Sequence, residues 1–187
     1  MIGRALLREQ RNRIGGIARI RFNEYDRRHW EHTYFDYRTG GYLVTERDRF
    51  KELVPDKHGA EESRTEQTFR EEREAAMRYA KWGFQIEHLA NRNNPGGNPD
   101  ARLRRKAPNI RVNGILADIK TITSPSKFTR RVNEAYNKNG AQFAMMRLLY
   151  PRNEDNETAL NKSIRLLQKE NRHGCYYFEG ENQFYWF

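Results

Sequence analysis

The sequence predicts an α/β protein, on three observations. Residues 61–82 contain no Gly or Pro and carry Phe69, Ala76, Tyr79 and Ala80, with Ala75 and Met77, at helical spacing. Phe84-Gln85-Ile86-Glu87-His88-Leu89 then alternates with period two, as a half-buried strand does. Asn113-Gly114 sits between two further strand candidates, and Asn-Gly suits the type I′ turn of a hairpin.

Each element follows from local chemistry. Gly83 stops the first helix. Asn91–Pro99, with Pro95-Gly96-Gly97, reads as a loop. The strands around the Asn-Gly turn are Asp100–Val112, interrupted near Pro108, and Ile115–Ile122. Ser124 as an N-cap, with Pro125 at the first helical position, opens a helix running to Gly140 through Phe128, Val132 and Ala135. Ala141–Tyr150 is an apolar run of strand length, and Asn156–His173 is an amphipathic helix through Leu160, Ile164 and Leu167. Cys175–Phe178 and Phe184–Phe187 form a closing hairpin around Gly180-Glu181-Asn182.

Residues 1–60 are less legible. They offer a basic helix broken at Gly15-Gly16 and a short strand at Tyr42-Leu43-Val44, and are set apart as an N-terminal extension; residues 61–187 form the main domain.

Composition excludes several classes. The chain has 187 residues, of which 36% are hydrophobic and 32% charged, but its 10 Phe, 10 Tyr and 3 Trp are too many for a disordered polyelectrolyte. No apolar run approaches the ~20 residues of a membrane span, and the basic N-terminus lacks the apolar stretch of a signal peptide. The single Cys175 allows neither an internal disulfide nor a cysteine-based zinc site. A cytoplasmic protein without a membrane partner is expected.

The net charge of +10 favours polyanions. Residues 91–150 hold 12 Lys/Arg against 3 Asp/Glu, whereas residues 151–187 hold 5 against 6. Arg102, Arg104, Arg105 and Lys106, extended by Arg130 and Arg131, form a candidate phosphate track of sequence-independent affinity; the alternative is an ordinary solvated face.

Within that basic stretch Asp100 and Asp118 stand isolated. Strand geometry puts Asp118 and Lys120 on one face. If Asp100 meets Asp118 at the sheet's end, the two carboxylates repel unless a hard divalent cation, Mg²⁺ or Mn²⁺, lies between them. Lys120 would then orient an attacking water and stabilise charge on a phosphate. The plainer readings are a solvated ion pair for Asp118 and Lys120 and a turn residue for Asp100.

Pro99-Asp100, the 17-residue gap, Asp118-Ile119-Lys120 and the acidic helix upstream resemble the PD-(D/E)XK nuclease superfamily, with its αβββαβ core of mixed sheet flanked by helices. More narrowly, Glu74-Ala75-Ala76, Ala80, Gly83, Pro99-Asp100, the Asn-Gly turn, Asp118-Ile119-Lys120 and Gly140-Ala141-Gln142 are similar to the C-terminal toxin domains of bacterial contact-dependent growth inhibition proteins. Several of those cleave tRNA, and the module also occurs in phage and mobile-element proteins. The resemblance covers residues 61–150.

It implies a metal-dependent endonuclease of bacterial or phage origin, acting on RNA ahead of DNA, with an immunity protein as a candidate partner. Asp100, Asp118 and Glu74 would hold the metal, Glu71 being the alternative helix acid, and Lys120 would complete the catalytic set. Two rivals stand beside it. One is a metal-independent ribonuclease toxin with His88 as general base. The other is a nucleic-acid-binding phage or mobile-element protein with a degenerate nuclease core. His29 and His32 lack the His-Glu-x-x-His spacing of a zinc protease and read as surface or aromatic-cluster residues; Cys175 reads as core.

Overall fold

The computed structural model describes residues 15–51, 64–90 and 108–187. Asp100, Arg102, Arg104, Arg105, Lys106 and the Asn91–Pro99 loop lie outside them. The fold is mixed α/β, and the chain divides into two compact units: residues 1–90 with 111–114, and residues 91–110 with 115–187. The compositional division at residue 60 falls inside the first unit. Among the described residues no helix is long and apolar enough to cross a membrane.

The first unit contains helix α1 (15–24), strands β1 (Trp30–Phe35) and β2 (Tyr42–Glu46), helices α2 (Arg47–Lys51) and α3 (Arg64–Lys81), and strand β3 (Gln85–His88). Helix α1 is described from Gly15 onward, and the part of the expected basic helix before Gly15 lies outside the described residues. A Cβ on Gly15 would meet the Tyr37 carbonyl oxygen at 2.0 Å, so this glycine serves close backbone approach. Strand β2 pairs antiparallel with β1 and parallel with β3, placing Leu43 beside Ile86 and Thr45 beside His88. Phe69, Ala75, Ala76, Tyr79 and Ala80 of α3 are buried, as the helical spacing predicts. The period-two expectation for β3 also holds: Ile86 and His88 are buried while Gln85 and Glu87 are half-buried. Asn113, with φ of 47°, and Gly114, with φ of 85°, adopt the two positive dihedrals that a type I′ turn requires. Asn113 and Gln85 exchange hydrogen bonds, with the Asn113 backbone N–H donating to the Gln85 carbonyl and the Gln85 N–H to Asn113 Oδ1.

Between the units' segments the chain forms the short strand β4 (Ile110–Val112). Of the expected strand over Asp100–Val112, Ile110–Val112 is formed, and residues 100–107 lie outside the described residues. The second unit contains β5 (Ile115–Ile122), α4 (Phe128–Asn133), β6 (Phe143–Leu148), α5 (Glu154–Lys169), β7 (Gly174–Phe178) and β8 (Tyr185–Trp186). Strands β5, β6 and β7 run parallel, and β8 closes the C-terminal hairpin against β7. Parallel strands covered on both faces read as apolar runs, and all five residues of β7 are buried. Phe128 and Val132 of α4 and Leu160 and Leu167 of α5 pack with Ile122, Met146, Leu148 and Phe178 in one core.

Two helix expectations need correction. Ser124 holds the expected N-cap position ahead of Pro125, but its side chain makes no capping bond and the turn it opens is a 3₁₀ turn over Pro125–Lys127, where its carbonyl accepts from the Lys127 N–H. The expected helix to Gly140 also changes register, from α-helix to a π-helical turn at Glu134–Lys138. Helix α5 begins two residues before its expected start, because Asn153 Oδ1 accepts the Asn156 N–H at 2.9 Å and caps it.

Candidate functional site

Asp118 and Lys120 meet as their spacing on β5 predicts. Strand β5 pairs parallel with β6, with Asp118 beside Ala144 and Lys120 beside Met146. Ala144 and Met146 are fully buried, and Asp118 has no exposed surface either. Its Oδ2 accepts from Lys120 Nζ at 2.7 Å and from Asn139 Nδ2 at 2.5 Å. The Lys120 side chain keeps 21% of its surface exposed, so the pair is buried at the carboxylate and partly exposed along the lysine.

Asn139 is the residue that sequence reasoning missed. It follows the π-helical turn, where its N–H donates to the Glu134 carbonyl five residues back at 3.2 Å. The wider turn carries Asn139 inward, and such turns recur at functional sites. Tyr136 braces the turn: its hydroxyl donates to the His173 carbonyl at 2.6 Å, lies 3.0 Å from the Gln142 carbonyl oxygen and accepts from the His173 N–H at 2.9 Å, while Arg172 covers its ring at 4.6 Å. The only sequence signal is Asn139-Gly140, which by itself reads as a helix terminus.

Arg130 and Arg131 both approach Glu134, at 3.9 and 2.9 Å. Each retains exposure, but part of the charge assigned to a phosphate track is balanced within its own helix. Glu71 and Glu74 lie on α3 in the other unit. Gln67 donates to Glu71 at 3.3 Å, and Glu74 is exposed. Asp100 lies outside the described residues, and among those described no three His, Cys, Asp or Glu side chains gather as a metal group.

The helix acid that turns inward is Glu72. Its Oε2 accepts from Arg49 Nη2 at 3.0 Å and lies 3.5 Å from His88 Nε2. His88 has no exposed surface and stacks on Phe69 with ring centroids 5.3 Å apart. Burial holds its imidazole below the ordinary value; Glu72 opposes that shift, and Arg49 and Arg73 reinforce it. A neutral, enclosed imidazole is a core residue and does not reach a substrate as a general base. His32 is held similarly, with Nε2 2.8 Å from the Tyr25 carbonyl oxygen and its ring 4.4 Å from Phe22.

No family model matches the chain, and neither a curated protein nor a solved structure matches it.

Proposed function

We propose that the chain is a metal-dependent endonuclease, a phosphodiester hydrolase acting on RNA ahead of DNA as a bacterial toxin or mobile-element nuclease. The observation that carries the reading is the Lys120 ammonium held 2.7 Å from the buried Asp118 carboxylate. A buried ion pair is a poor source of stability, because apolar residues of similar volume do as well or better. A charged pair with its carboxylate buried and its lysine partly exposed therefore favours chemical use.

Asp118 supplies a hard oxygen ligand of the type Mg²⁺ or Mn²⁺ takes, with Asp100 and Glu74 or Glu71 as the other donors implied by the resemblance. A bound divalent cation would activate water at neutral pH and offset charge on the phosphate. Lys120 orients the water and offsets charge developing on a phosphate oxygen. Asn139 fixes the Asp118 carboxylate plane. The net charge of +10 supports a polyanionic substrate. The toxin or mobile-element role, and with it an immunity partner, rests on the resemblance of residues 61–150.

The test is a cleavage assay on total tRNA and on plasmid DNA, with Mg²⁺ and with EDTA, with product ends sequenced. Cleavage that needs Mg²⁺ and disappears in Asp118→Ala supports the reading. Full activity in EDTA overturns the metal, and binding without cleavage in Mg²⁺ leaves a nucleic-acid-binding protein.

A further inference from the structure

Helix α5 carries a second basic surface, outside the stretch where the sequence concentrates its charge. Lys162, Arg165 and Lys169 recur at spacings of three and four residues, which places them in one row along the helix. With Thr158, Asn161 and Leu166 they line a shallow depression of about 410 Å³, and all six residues are exposed. Leu160 and Leu167 bury the opposite face in the core. Among the described residues none of the three cations makes an ion pair.

An ordinary solvated helix face mixes signs and forms pairs at four-residue spacing. On α5 the acids Glu154, Asp155 and Glu157 are confined to the first turn, where the helix dipole favours them. The middle and last turns present cations alone. The overall charge of −1 for residues 151–187 hides this separation. A lipid surface would need an apolar face, but that of α5 is already committed to the core, with Leu166 the sole exposed leucine on the row.

We infer that the Lys162, Arg165 and Lys169 row of α5 is a phosphate-binding track for the backbone of a nucleic acid. From Lys162 to Lys169 the helix rises about 10 Å, or about three phosphate intervals at about 3.4 Å per charge along one duplex strand. Thr158 and Asn161 add hydrogen-bonding groups beside the row. The inference rests on nucleic acid being the substrate.

The test uses the full chain in EDTA, with labelled total tRNA as probe and affinity measured from 50 to 200 mM salt. The triple variant Lys162→Ala, Arg165→Ala, Lys169→Ala is compared with Arg21→Ala, Arg27→Ala, Arg38→Ala, which removes the same charge from exposed positions of the other unit. The α5 variant is expected to lose at least about tenfold in affinity at 0.1 M salt, and its salt slope to fall by about 2, whereas the control changes little. Equal losses in both variants, or none in the α5 variant, overturn the track while leaving the endonuclease reading intact. Failure of the wild type to bind tRNA overturns the track and the RNA reading together, and plasmid DNA cleavage then decides the endonuclease.

Discussion

Lys120 Nζ lies 2.7 Å from Oδ2 of Asp118, two residues back on the same face of β5, and the same oxygen also accepts from Asn139. One partner is buried and the other reaches solvent. Removing either therefore has distinct consequences for stability and for chemistry.

Lys120→Met leaves the buried carboxylate without its cation, a loss of about 3 kcal/mol in urea unfolding. Asp118→Asn with Lys120→Met restores part of that stability by removing both charges. Under the proposed chemistry both variants lose cleavage. Cleavage retained by the double variant would show that the pair is structural only.

Asn139→Ala removes a 2.5 Å hydrogen bond to a buried carboxylate. The expected loss is about 1.5–3 kcal/mol, read as a lower urea midpoint at unchanged slope. Asn139→Asp places a second carboxylate against Asp118, so it is expected to destabilise further above the usual carboxylate range than below it. A neutral result in both variants removes the π-turn from the account of the site.

Gly41 and Gly114 separate two uses of glycine. A Cβ at Gly41 would stand 2.0 Å from the Ala80 carbonyl oxygen and 2.8 Å from Gly83 Cα, both backbone atoms that cannot swing away. Gly41→Ala is expected to lose about 3 kcal/mol or more. Gly114 has open space around it and needs only its φ of 85°, so Gly114→Ala loses about 1 kcal/mol. Thermal melts of the two variants side by side read the difference.

His88 makes stability depend on pH. Its folded imidazole is held below the unfolded value of about 6.5. Below that pH the unfolded chain takes up a proton that the fold does not, so stability falls as pH is lowered. The slope approaches about 1.4 kcal/mol per pH unit. Urea unfolding at pH 7.5, 6.5 and 5.5 should show His88→Gln losing less than the wild type. Identical pH dependence in the two proteins would contradict a neutral His88.

Elements with a clear period were legible in the chain. The α3 spacing of Phe69, Ala76, Tyr79 and Ala80 predicts the face that is buried, and the Asn113-Gly114 pair predicts the turn with two positive φ values. The shared face of Asp118 and Lys120 follows from strand geometry alone. The π-turn was not legible, because an α-helix and a π-turn differ by one residue of register and have no separate hydrophobic period. Glu72 is equally obscure from sequence, since neighbouring Glu71 and Glu74 have the same chemistry and only packing distinguishes the inward one.

By itself the sequence determined the order of helices and strands from α3 onward and the concentration of charge along the chain, since periodicity and turn chemistry act over a few residues. It also determined that Asp118 and Lys120 share a face. Only the tertiary structure decided that Asp118 is shielded and shares Asn139, that His88 is enclosed by Phe69 and Glu72, and that three cations of α5 line up unpaired. Burial and pairing depend on what distant segments bring alongside a residue, and a count of charges does not contain that information.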